Sequence, residues 1–306
     1  MRAYCAYSRH PDPDVPLRGC PAKREGRLMG WRKRAGGLPV SLRVPAGVSA
    51  GLLAILSIPL AAGPAEAGAW LQRKGEGLAI VTTLADRADQ RFDAGGERID
   101  DGYFYKDETA VYAEYGITAR LTAVARLAWQ SVERRQGAVH DAAQGLSASE
   151  LGLRAGVWQD AGRIATLQVT ALLPGAGENV SNQPLGAGGE AWEIRALWGQ
   201  SFGRGRFADI QLAHRWRAEP DLDEVRLDIS AGWRPAPRWQ IIVQSLSVWS
   251  AEAAGPTRPA FSQHKLQLSL GREIAGMEYH AGVYFTPAGR NTLDERAIFL
   301  SVWRRF

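Results

Sequence analysis

The feature that most constrains this chain is an alternation of apolar and polar residues with period two, repeated in segment after segment from Leu78 to Phe306. Leu121, Ala123, Ala125 and Leu127 share one side of an extended backbone, as do Leu151, Leu153, Ala155 and Val157, and again Leu266, Leu268 and Leu270. From Gly77 onward no 3.6-residue periodicity competes with this pattern. No apolar run there approaches the ~20 residues that a membrane-spanning helix needs. Repeated segments of about ten residues with a period-two pattern are the signature of a β-barrel that crosses a membrane with its strands.

The segments are Leu78–Leu84, Thr109–Tyr115, Leu121–Ser131, Ser149–Trp158, Ile164–Leu173, Ala191–Phe202, Arg206–Arg217, Glu224–Trp233, Trp239–Trp249, Gln263–Arg272, Met277–Thr286 and Glu295–Phe306. Twelve is an even number, as a single-chain bacterial barrel requires when both ends of the chain lie on one side. The connections alternate as well. After every even segment the link is tight, as in Gly116–Arg120, Gln159–Arg163, Gly203–Gly205, Arg234–Arg238 and Ile274–Gly276. After odd segments it is usually longer and more polar: Ala85–Glu108, Val132–Ala148, Pro174–Glu190 and Ser250–Ser262, with Arg217–Glu224 and Pro287–Asp294 only modestly long. The expected fold is therefore all-β: a single 12-stranded antiparallel transmembrane up-and-down β-barrel, with short periplasmic turns and longer extracellular loops.

Ahead of the barrel, Val44 to Ala62 is an apolar run preceded by Arg32, Lys33, Arg34 and Arg43 and followed by Ala65-Glu66-Ala67. Basic region, apolar region and A-x-A box make a secretory signal peptide. The run is too short to span and holds Pro45 and Pro59, which disfavours an anchor. We expect residues 29–67 to be the signal peptide, cleaved after Ala67. Residues 1–28, polar and without periodicity, are expected to be a disordered stretch upstream of the true start at Met29. The formal charge of +5 belongs largely to this leader. Residues 1–67 hold 10 of the 37 basic and 4 of the 32 acidic residues, so 27 face 28 in the remainder. A near-neutral mature chain gives no basis for nucleic-acid binding. Both cysteines, Cys5 and Cys20, also fall in the leader, which excludes a thiol catalyst or a Cys-based zinc site from the barrel.

Ten tryptophans follow Gly68, many at segment ends: Trp129, Trp158, Trp192, Trp216, Trp233, Trp239, Trp249 and Trp303. Such rings favour membrane–water interfaces, so two girdles are expected. The apolar parity of each segment should face lipid, where a midplane charge costs roughly 2–4 kcal/mol. Trp239–Trp249 is ambiguous, since Ile241 and Val243 alternate with Ile242, Gln244 and Leu246; a bulge or an inner apolar contact would each explain it.

The opposite parity is polar and nearly balanced in charge. It contains Glu114, Arg126, Glu150, Arg154, Gln168, Glu193, Arg195, Asp209, Gln211, Arg215, Arg226, Asp228, Gln244, Lys265, Gln267, Glu278 and His280. In a narrow lumen opposite charges should pair. We expect Arg126, Arg154, Arg195, Arg215 and Arg226, from five strands, to meet at comparable depth. There they would pair with Glu114, Glu193 or Asp228 and form a constriction that selects solutes. The alternative is a structural or adhesive barrel whose ion pairs close the lumen.

The final strand, ending in Phe306, resembles the C-terminal insertion signal of Gram-negative outer-membrane barrels, with Arg304 where the pattern wants an apolar residue. The resemblance implies recognition by the barrel assembly machinery and surroundings of outer-membrane lipid and lipopolysaccharide. The stretch from Tyr112 to Thr122, Y-A-E-Y-G-I-T-A-R-L-T, resembles a periplasmic hairpin of the aromatic-degradation (phenol meta-pathway) transporter-type barrels. This implies a channel for a small-molecule solute and assigns no functional residue. Twelve-stranded outer-membrane phospholipases place a His two residues before a Ser; here His140, His214, His264 and His280 are followed at that offset by Ala142, Trp216, Leu266 and Gly282. None matches, so an outer-membrane lipid hydrolase is the third reading, after channel and structural barrel, with Ser262 and His264 the nearest pair. Neither a cofactor nor a metal is called for. Asp86, Asp89, Asp93, Asp100 and Asp101, with Arg87, Arg91 and Arg98, read as solvated loop charge rather than a site for a divalent cation or lipopolysaccharide phosphate.

Overall fold

A computed structural model describes residues 68–175, 190–218, 222–250 and 259–306. The expected leader and signal peptide, 1–67, and parts of three loops lie outside the described residues.

The strands are β1 (Gly77–Phe92), β2 (Arg98–Thr118), β3 (Leu121–Gln136), β4 (Val139–Leu146), β5 (Ser149–Asp160), β6 (Arg163–Leu173) and β7 (Ala191–Gly203). They continue with β8 (Arg206–Arg217), β9 (Glu224–Trp233), β10 (Trp239–Ser250), β11 (Ser262–Ile274), β12 (Met277–Arg290), β13 (Thr292–Leu293) and β14 (Arg296–Arg305). Two are accessory: β4 pairs only with the far end of β3, and β13 with the end of β1. The other twelve form a closed antiparallel wall. Neighbours in sequence pair around the circle, and β1 completes it by pairing with both β2 and β14. All twelve strands expected from the sequence are present.

Two of the expected long loops are largely strand. Within Ala85–Glu108, β1 and β2 run on to a tight turn at residues 93–97, and Val132–Ala148 forms most of the β3–β4 hairpin. These extensions rise above the apolar belt, so their outer residues, such as Arg87 and Asp107, are polar and the apolar stripe that betrays a lipid-facing strand disappears. On the inner side Ala88, Phe104 and Val132 are buried with Leu293, and cross-strand polar pairs add to that cluster. Arg91 and Arg134 both pair with Asp101, at 2.9 Å and 2.8 Å, Tyr103 donates to Glu133 at 2.7 Å, and Arg98 reaches Asp294 at 2.8 Å. The aspartates read as loop charge are thus mostly strand residues.

The outer wall carries the apolar parity that the sequence implies. Leu151, Leu153, Val169, Leu212, Leu268 and Val283 each leave about half of their surface exposed, which in a membrane means exposed to acyl chains. Trp129, Trp158, Trp192, Trp198, Trp216 and Trp233 are also exposed. Trp158 and Trp198 stack near the short-turn rim, their ring centres 5.4 Å apart. Trp303 departs from the expected girdle: it lies on the inner parity of β14 with buried Phe299 and Ser301 and stacks on His280 at 4.5 Å. The ambiguous strand β10 is regular in its pairing with β9 and β11. Its double apolar pattern comes from an inner contact, because Ile242 and Leu246 face the lumen while Val243 faces out.

Candidate functional site

Inside the wall, the sequence's polar parity becomes two unlike surfaces. The strands from β2 to β9 carry a continuous array of ion pairs. Arg154 donates to Glu114 at 2.9 Å and to Gln168 at 3.0 Å, and Tyr112 donates to the same Glu114 at 2.5 Å. Arg195 bridges Glu193 (2.8 Å), Asp228 (2.5 Å) and Gln211 (3.0 Å). Arg215 shares Glu193 at 2.9 Å and stands 4.0 Å from Glu150. Arg226 and Arg217 share Glu224, at 2.6 Å and 2.8 Å. Each of these buried charges has an opposite partner, because an unpaired one would cost several kcal/mol; Asp209 on β8 is the exception.

Of the eight residues proposed for a constriction, six pair among themselves: Glu114 with Arg154, Glu193 with Arg195 and Arg215, and Asp228 with Arg195. Arg154, Arg195 and Arg226 share one transverse row, linked through Gln168 and Ala213. Arg126 and Arg226 take partners that the sequence did not single out, Glu108 at 2.6 Å and Glu224. The arrangement is an arc over part of the circumference rather than a ring. From β10 through β14 to β1 the inner parity holds few arginines, as the sequence of those strands already records.

That second surface borders a cavity of about 510 Å³. Ile80, Leu84, Ile242, Leu246, Phe299 and Trp303 supply its apolar and aromatic lining; Tyr112, Arg126 and Glu108 on β2 and β3, and Gln244 and Gln267 on β10 and β11, supply polar groups between them. Toward the long-loop rim, Tyr284 donates to Asp86 at 2.6 Å, Lys265 pairs with Glu295 at 2.6 Å, and Lys106 lies 3.6 Å from Asp86. An amphipathic passage of this kind can hold a small organic molecule while keeping its polar groups hydrogen-bonded.

The short-turn end is narrowed by residues 68–76, a strap that precedes β1 and crosses the inner wall from β2 to β8. The Gln72 N–H donates to Thr122 Oγ1 (3.0 Å) and its side chain to Glu114 (2.6 Å). The Trp70 carbonyl accepts from Arg154 (3.0 Å), and the Ala69 carbonyl from Thr166 (3.2 Å). Ala69, Trp70 and Leu71 pack on Ile164 and Leu197, and the Trp70 ring meets Phe207 edge-on at 5.8 Å. Gly199 makes this possible: a Cβ there would stand 2.9 Å from the Trp70 ring. Sequence reasoning missed the strap. Its signal was inward-facing glycine in otherwise regular strands, which marks close approach by another segment.

His264 shares a hydrogen bond with Ser247 at 3.0 Å rather than with Ser262, and His214 lies on the outer wall against Trp216. Among the described residues no group of three His, Cys, Asp or Glu is placed to hold a metal ion.

Fold, outer belt and inner wall together define a closed 12-stranded antiparallel β-barrel with the fold of outer-membrane barrels. The COG4313 outer membrane channel from Pseudomonas putida F1 superposes with a TM-score of 0.64 at 13% identity, over 80% of this chain and all of that one. The NanC porin (TM-score 0.46, 8% identity, 72% of this chain and 98% of that one) and the β domain of the Bordetella autotransporter BrkA (0.47, 16%, 75% and 99%) lie further off. No family model and no curated protein matches the sequence.

Proposed function

We propose that the protein is a passive outer-membrane channel for a small solute, which crosses along the β10–β2 side of the lumen. The observation that carries this reading is the cavity itself. Its lining mixes apolar and aromatic side chains with glutamines and the Arg126–Glu108 ion pair, and such a pair can exchange partners with a charged group in transit. Five arginines on the inner wall support an anionic preference. The sidedness of the turns, insertion by the assembly machinery through the strand ending at Phe306, and surroundings of phospholipid and lipopolysaccharide accompany this reading. Planar-bilayer recording tests it: discrete conductance steps support a channel, and a silent bilayer with correctly inserted protein contradicts it.

A second reading has its own observation. The strap and the ion pairs fill the β2–β8 half of the lumen, as a closed structural wall would require. A silent bilayer would favour that reading.

A further inference from the structure

Asp209 is a carboxylate without a cation on an inner wall where the other acids have one. It lies on β8 and is 1% exposed. Gln211 donates to its Oδ1 at 2.8 Å, and the Ser230 hydroxyl also lies against it, but Oδ2 is buried with no hydrogen-bond partner. Among the described residues no Lys, Arg or His comes within ion-pair distance. The nearest charges do not help: Asp228 is negative and Arg154 is engaged by Glu114. A lone buried charge is expensive, so a missing counter-ion is the physical expectation here.

The backbone facing Asp209 is the first residue of the strap. A Cβ added to Gly68 would stand 2.6 Å from the Asp209 carboxyl carbon, and Gly68 has φ +99°. Both facts demand glycine, and the first brings the main chain at Gly68 against the carboxylate. The Gly68 nitrogen is one bond of about 1.46 Å from that Cα. Gly68 is also the residue that follows the A-x-A box at Ala65–Ala67.

We propose that signal-peptide removal supplies the counter-ion of Asp209. Hydrolysis of the Ala67–Gly68 bond places the hydroxyl of water on the Ala67 carbonyl carbon and protons on the Gly68 nitrogen. The amide, neutral and with a single N–H, becomes an ammonium with three. That ammonium pairs with Oδ2 of Asp209 and pins the strap across β2–β8. Processing and closure of the short-turn end are one event: the precursor lacks this anchor and the mature chain has it. The inference stands on the strap and Asp209 and does not depend on whether the lumen conducts.

The test uses mature protein purified from outer membranes, sequenced at its N-terminus and labelled with an amine-reactive ester at neutral pH. The expected N-terminal residue is Gly68. In the folded barrel its amine should react about tenfold or more slowly than in urea, tenfold being what one pKa unit does to the reactive fraction. Asp209→Asn, which keeps the shape and removes the charge, should lower the amine's pKa and raise that reactivity several-fold. A second variant, carrying one extra Ser before Gly68 and intact at Asp209, should label as the unfolded chain does, and it decides the matter if Asp209→Asn does not fold. A different N-terminal residue, unchanged protection in Asp209→Asn, or full protection in the extended variant would overturn the proposal.

Discussion

Gly77 and Phe306 exchange two main-chain hydrogen bonds, at 2.7 Å and 3.0 Å, where the first strand meets the last residue of the chain. The Phe306 ring lies over Gly77, on ground that any Cβ would occupy. Closure of the barrel therefore depends on the smallest residue at one end of the chain and an aromatic at the other. Gly77→Val should cost about 1–3 kcal/mol through overpacking and lower the temperature at which heat-modifiable gel migration is lost. An unchanged transition would show that the ring finds room elsewhere.

The lipid belt makes a position-dependent prediction. Leu153→Arg, at an outer site in the middle of β5, should destabilise by about 2–4 kcal/mol in bilayer unfolding experiments. Val139→Arg, exposed where β4 begins above the belt, should stay within about 0.5 kcal/mol of wild type. Equal costs at the two sites would place the belt wrongly.

The arginine arc separates conduction from structure. Arg226 is partly exposed and its partner Glu224 retains Arg217, so Arg226→Ala should fold and conduct with larger steps and weaker anion preference. Arg195→Ala strands Asp228 and should cost more, up to about 3 kcal/mol, with the same direction of selectivity change. Wild-type selectivity in both variants would remove these arginines from the solute's path.

One pH effect lies outside the membrane, at the tip of the β1–β2 hairpin. Asp93 accepts from the N–H groups of Glu97 (2.9 Å) and Gly95 (2.8 Å), and these bonds hold its carboxyl below the usual carboxylate range. Because the folded pKa is the depressed one, the tip is supported above the ordinary carboxylate pKa and loses support as pH falls through the folded value. Amide exchange at the tip, corrected for its intrinsic pH dependence, should rise on acidification. Asp93→Ala should exchange quickly already at neutral pH.

What the sequence revealed and what it hid follow from where the solvent changes. Leu151, Leu153 and Val157 against Glu150 and Arg154 could be read because lipid and lumen impose opposite demands on alternate residues. The upper parts of β1 and β2 could not, since their outer residues, such as Asp107 and Tyr105, lie beyond the apolar belt and carry no apolar stripe, although Ala88 and Phe104 are buried on the inner side. Charge parity identified Arg154, Glu114, Arg195 and Asp228, but pairing depends on stagger between strands, so Glu108 and Glu224 went unrecognised. The strap left only indirect marks, in glycines such as Gly199. Ile242 and Leu246 left β10 open between a bulge and an inner contact, and they line the cavity, because inner-wall apolar residues break the parity rule without breaking the pairing.

The central claim is a lumen with a passage beside the strap, and single-channel recording of refolded residues 68–306 next to a variant lacking residues 68–74 tests it most directly. The account predicts discrete steps from the wild type and clearly larger steps from the shortened chain, because the strap occupies the β2–β8 half of the short-turn end. Two correctly folded proteins that both leave the bilayer silent would contradict it and identify the barrel as a closed wall.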